Sequence, residues 1–214
     1  MNNKTTWIAS ALLSTVALAG CANTEQAAQQ KEASQAEVME VMKASFKAKG
    51  QAGMDRLDQT ELQLACSQAA STPGDLPNAK RAALQEAALA AVKFPADGKF
   101  LGDWKEGEEI AQTGKGFQFN DKAGSTAGGN CYACHQLAPQ ELSYGNLGPS
   151  LYQYGKLRGN SEEIMKYTWV KIWNSHAYNA CSNMPRFGAE GILTETQLKD
   201  VMALLMSPDS PVNK

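Results

Sequence analysis

The chain has 214 residues, 43% of them apolar and 20% charged, with a formal net charge of −2. That balance suffices to bury one good domain and leaves no basic field of the kind that holds nucleic acid. Of five cysteines and two histidines in the whole chain, three crowd into positions 131–135.

The chain opens MNNKTTWIASALLSTVALAGCANTEQ. Lys4 supplies a short positive start, residues 7–18 an apolar core, and Leu18-Ala19-Gly20 a small-residue exit. This reads as an export signal over residues 1–20, too short to span a bilayer. Leu-Ala-Gly-Cys resembles the bacterial lipobox. The resemblance implies cleavage before Cys21, acylation of Cys21, and anchoring by more than one acyl chain without a spanning helix. Ala22 stands where inner-membrane lipoproteins of enterobacteria carry aspartate, so the expected location is periplasmic, tethered to the outer membrane.

Residues 21–34 are rich in Ala, Gln and Glu, with almost nothing to bury, and read as a solvated tether. A helical N-terminal extension over 35–95 follows. Its first helix places Val38, Val41, Met42 and Phe46 on one face and ends near Gly50 and Gly53. MDRLDQTELQLACSQ reads as a second helix, with Met54, Leu57 and Leu64 apolar, broken by Pro73, Gly74 and Pro77. An Ala-rich third helix over 78–92 is stopped by Pro95.

From residue 96 onward short helices alternate with glycine-rich loops. GDWKEGEEIA holds a helix with Asp103 as its N-cap, whose Trp104 and Ile110 are expected to pack on the last helix. A polar loop over 113–130 leads into GGNCYACHQL. Ser161 caps a further helix with Glu162 and Glu163 in its first turn, and Trp169, Ile172, Trp173 and His176 are expected on one face of it. Thr194 and Gln197 form a capping-box pattern, and the helix it opens buries Leu198, Val201, Met202 and Leu205 before Pro208. No strand and no repeat is visible, so the fold class is all-α.

Cys131-Tyr-Ala-Cys134-His135 is the attachment pattern of c-type haem. Two thiols three positions apart can add to the two vinyl groups of one porphyrin, and the adjacent imidazole then meets the iron. Export fits, because bacterial haem c is attached outside the cytoplasm. A zinc site would want a second ligand pair, and Cys66, His176 and Cys181 form none. A redox dithiol would want a βαβ context. One covalent haem c, with His135 on the iron, is therefore the expected cofactor.

The second axial ligand decides what such a haem does. Met184 sits in the loop CSNMPRFG between two helices, where small class I cytochromes c place their ligand methionine. Met165, Met202 and Met206 fall at helical core positions. His176 is the competing ligand, on an apolar face with two tryptophans. NLGPSL resembles the GPxL element of class I cytochromes, and that resemblance implies that the Pro149 carbonyl orients His135.

Taken in order, GNCYACH, GNLGPSL, NMPRFG and the terminal LTETQLKDVMALLMSPDSPVN closely resemble the SoxX family, the small monohaem subunits of SoxAX thiosulfate-oxidising cytochromes. The likeness covers residues 96–214 and implies a class I cytochrome c-like haem domain there. It also implies a heterodimer with a SoxA-like cytochrome that carries the catalytic haem. In that complex thiosulfate is coupled to a cysteine of a SoxYZ-like carrier, and the SoxX-like subunit, without catalytic residues of its own, passes electrons to a small c-type cytochrome. The alternative is a stand-alone lipoprotein cytochrome c serving a terminal oxidase or peroxidase. Cys66 and Cys181 remain after these assignments, and in an oxidising compartment the expectation is a disulfide between them.

Overall fold

The computed structural model describes residues 33–71 and 76–214. Cys21, the export signal and most of the expected tether lie outside them. The fold is all-α: the described residues form seven α-helices joined by loops and 3-10 turns, with a lone Lys49–Ala52 bridge as their only β pairing. No helix among them is long and apolar enough to cross a membrane.

Residues 40–214 form the second of two compact units, and helix α1 runs over Gln35–Ser45. In the second unit the apolar residues Val41 and Phe46 stay exposed. The segment expected as a single second helix is in two pieces. Met54–Leu57 makes a 3-10 turn, and α2 (Glu61–Ser71) starts afresh. The restart has a local cause: the Gln63 amide donates to Thr60 Oγ1 and the Thr60 amide to Gln63 Oε1, a capping box that fixes a new N-terminus. Helix α3 (Asn78–Ala90) follows and packs against a 3-10 turn at Ser175–Ala177.

The core is built where α4 (Trp104–Gln112) crosses α7 (Glu195–Met206). Asp103 caps α4 through the Lys105 amide, and Thr194 with Gln197 completes the capping box of α7. Gly107, Ile110 and Ala111 are the buried residues of α4, whereas Trp104 is only half-buried. Gly107 is the crossing point. A Cβ there would overlap the Asp200 carbonyl and crowd Leu204, so only glycine lets the backbones come this close. Asp200 in turn accepts the Asp103 amide at 2.8 Å, tying the start of α4 to the middle of α7.

Two further helices, α5 (Tyr154–Arg158) and α6 (Glu162–Trp173), flank this pair. Ser161 caps α6 as the sequence suggests. Its Trp169 is 1% exposed and donates from Nε1 to the Lys93 carbonyl. Edge contacts with Phe100 and a stacked contact with Trp173 surround its indole. The C-terminal Ser210, Val212 and Asn213 fold back into the core, with the Asn213 amide group donating to the carbonyls of Leu205 and Ser207. That tail satisfies the carbonyls left unpaired at the end of α7.

Candidate functional site

Cys131, Tyr132 and Ala133 form a 3-10 turn, and the amides of Cys134 and His135 both donate to the Cys131 carbonyl. One tight turn therefore carries both cysteines and the histidine. Asn130 enters it with φ 47°, a left-handed conformation that asparagine tolerates better than most residues. The loop 145–151 runs alongside: Gly145, Gly148 and Leu151 donate their amides to the carbonyls of Tyr132, Cys134 and Gln136.

This pairing brings Pro149 to His135. Their contact, Nδ1 to the Pro149 carbonyl, is 2.7 Å. A carbonyl only accepts, so Nδ1 carries the proton and Nε2 keeps its lone pair. Gly148 lies flat against the same ring, where any Cβ would overlap the imidazole. The histidine is thus fixed in tautomer by one residue and in place by its neighbour.

Cys131 and Cys134 are free thiols, both half-buried. Burial pushes the Cys131 thiol up to about 12. Such a thiol stays protonated at neutral pH, the opposite of the depressed value that a thiol-redox centre uses. Beside it, the Tyr132 hydroxyl donates to Glu108 Oε1 at 3.1 Å, and Gln112 donates to the same oxygen. Burial first, then the Glu108 charge, raises the Tyr132 pKa.

Met184 sits in a separate loop, held by hydrogen bonds, an ion pair and a disulfide. Ser175 Oγ donates to the Met184 carbonyl at 2.8 Å, and the Met184 amide donates to Ser182 Oγ at 3.2 Å. His176 Nε2 donates to the Ser182 carbonyl at 3.1 Å. Cys181, three residues before Met184, is joined to Cys66 of α2 by a disulfide with Cα atoms 5.5 Å apart. Arg186 pairs with Glu190 at 2.9 Å. Trp173 supplies its carbonyl to the amides of Gly188 and Ala189, closing the loop.

His176 is not on α6, as the periodicity suggested. The helix ends at Trp173, and Asn174 caps the Ser175–Ala177 turn instead. The ring is 5% exposed, and burial lowers its pKa. With Nε2 spent on a carbonyl, His176 anchors the Met184 loop. Ser175, which contacts the same methionine, carried no sequence signal of its own.

The residues present fit a covalently attached haem. Two thiols and a free imidazole Nε2 share one turn, and the histidine is braced in the way axial histidines are. Among the described residues no three His, Cys, Asp or Glu side chains gather as a protein-built metal site requires.

No protein-family model matches the chain. A protein of Aquifex aeolicus (strain VF5), described as an uncharacterized lipoprotein, is 41% identical over 126 residues, 58% of this chain and 59% of its own. The chain thus spans less than two thirds of that relative's length.

Proposed function

We propose that this chain is a lipid-anchored monohaem c-type cytochrome, a SoxX-like electron-transfer subunit that works beside a SoxA-like catalytic partner. The observation that carries the reading is the CxxCH turn with His135 braced on the Pro149 carbonyl. When bound, the haem supplies a one-electron iron couple. Cys131 and Cys134 would tether it, and His135 Nε2 would bind the iron. Met184 would be the second donor, and its loop is restrained on both sides by Ser175, Ser182 and the Cys66–Cys181 bond. A thioether donor would favour reduced iron, and an iron held by two protein donors would suit electron transfer over substrate chemistry. Thiosulfate coupling to a SoxYZ-like carrier then belongs to the partner, and the electrons leave to a small c-type cytochrome.

The lipobox at Cys21 and the lipoprotein description of the Aquifex aeolicus relative support membrane anchoring. The same anchor favours a second reading, a stand-alone lipoprotein cytochrome c delivering electrons to a terminal oxidase or peroxidase. Two experiments test and then separate the readings. The full chain is produced in a host that matures c-type cytochromes, and the denatured chain is stained for haem. Covalent haem lost in Cys131→Ala/Cys134→Ala is expected, and an unstained wild-type chain overturns both readings. Native-source purification then decides between them: a co-purifying SoxA-like haem protein supports the first, and a haem-bearing monomer supports the second. For Met184→Ala the tethered haem should persist while the red-edge charge-transfer band of methionine-ligated ferric haem disappears.

A further inference from the structure

Basic residues on and near α6 are held in different ways. Lys166 pairs with Glu162, Arg186 with Glu190, and Lys199 with Asp97 and Glu195. Arg158 and Lys171 have no carboxylate partner among the described residues; each lies over two tyrosine faces. The Arg158 guanidinium is 5.1 Å from the Tyr154 ring centroid and 5.8 Å from that of Tyr167. The Lys171 ammonium is 5.9 Å from Tyr167 and 5.3 Å from Tyr178. The rings of Tyr167 and Tyr178 are themselves 5.0 Å apart. The result is an alternating ladder, Tyr154, Arg158, Tyr167, Lys171, Tyr178, on the side of α6 away from Trp169, with Tyr154 buried at its inner end and Tyr178 exposed at the other.

We propose that this ladder is a docking surface for a protein partner that presents carboxylates. Three observations carry it. Ring faces hold the two cations in place without neutralising them, so their charge is available to an incoming anion. Lys171 is half-buried, and burial already disfavours its charged form, so a carboxylate relieves a cost the fold has incurred. Tyrosine and arginine are also the residue types that dominate protein interfaces, because they offer large rigid area together with polar tips. Tyr178 is 40% exposed, and Leu157 beside Arg158 is 74% exposed, giving the patch an apolar margin. The nearest acid on the same helix face, Glu163 one turn before Tyr167, bonds to its cap Ser161 and marks the patch's boundary. A lipid headgroup layer would call for a flat array of extended lysines, whereas the ladder holds a single lysine, half-buried against two rings, beside an exposed arginine. The surface stands whether or not the chain carries a haem.

The test uses the full chain labelled for NMR and a soluble helical peptide bearing four glutamates on one face. A control peptide carries glutamine in their place. Shifts centred on the Arg158 Nε–H and the rings of Tyr167 and Tyr178 are expected with the acidic peptide only. Arg158→Gln combined with Lys171→Gln should weaken binding about tenfold, whereas Lys43→Gln with Lys47→Gln should leave it unchanged. Tyr167→Leu reads the aromatic contribution separately, its fold checked by circular dichroism. Shifts spread over unrelated lysines, or equal affinity in the Arg158/Lys171 variant, overturn the proposal. So does an outcome in which vesicles of phosphatidylglycerol and phosphatidylcholine move these resonances and the peptide does not, because the surface would then face a membrane.

Discussion

Gly148 shows how much one missing side chain can position. It lets the loop 145–151 lie against the His135 ring while the Pro149 carbonyl accepts the Nδ1–H hydrogen bond. Gly148→Ala must push the imidazole off that carbonyl or move the loop, and overpacking of this kind costs about 1–3 kcal/mol. Chemical denaturation should show that loss; unchanged stability would mean the loop yields freely. His176 makes a pH prediction. Burial holds its folded pKa below the ordinary 6.5, so on acidification the unfolded chain takes up the proton first. Stability is therefore lost as pH falls through 6.5 and on to the folded value, and is fully present above 6.5. His176→Gln should flatten that part of the profile relative to wild type in denaturation midpoints measured from pH 8 to 5. The residue scale was also where the sequence was most and least readable. CxxCH announces its chemistry by spacing alone, and GPxL by likeness. Ser175 and Gly107 act through backbone approach and a loop's return path, which depend on tertiary placement and leave no pattern along the chain.

At the scale of elements, helix caps were legible because they are local: Asp103, Ser161 and Thr194 each bond where their spacing suggested. The end of α6 was not. An apolar period carried past Trp173 to His176, but Asn174 intervenes and its side chain turns the backbone into a 3-10 turn. The same limit explains the split before α2, where hydrophobic spacing ran on and a Thr60–Gln63 box overrode it. The disulfide joins α2 to the Met184 loop across 115 residues of sequence. On the chain-entropy account a loop of that size stabilises by about 4–5 kcal/mol. Cys66→Ser with Cys181→Ser should lower the denaturation midpoint accordingly, and adding reductant to wild type should reproduce most of the shift. If neither changes the midpoint, the bond contributes nothing to the fold.

On the scale of the whole molecule, the segment before α3 reaches both loops of the candidate site. Gln51 Nε2 donates to the carbonyls of Gly116 and Gln118, and Arg56 to that of Phe117, in the loop leading to Cys131. Lys49 stands 4.2 Å over the Phe119 ring. Further along, Cys66 holds the Met184 loop. Composition had separated 35–95 from the rest because alanine-rich helices and glycine-rich loops look unlike each other, yet residues 40–214 form one compact unit. The Gln51 and Arg56 clasps are side chain to backbone, the class of contact a sequence least reveals.

The Cys66–Cys181 bond also turns the chain between them into a closed covalent circuit that contains the CxxCH turn. Residues 122–126 are an exposed bend on that circuit. A tryptic cut after Lys122 opens the circuit without releasing either half. The nicked protein should run as one species on a non-reducing gel and as two after reduction. Because the halves stay linked, their reassembly after denaturation is intramolecular, and its rate should not depend on protein concentration. A single break in this exposed loop would thus leave the molecule able to rebuild itself.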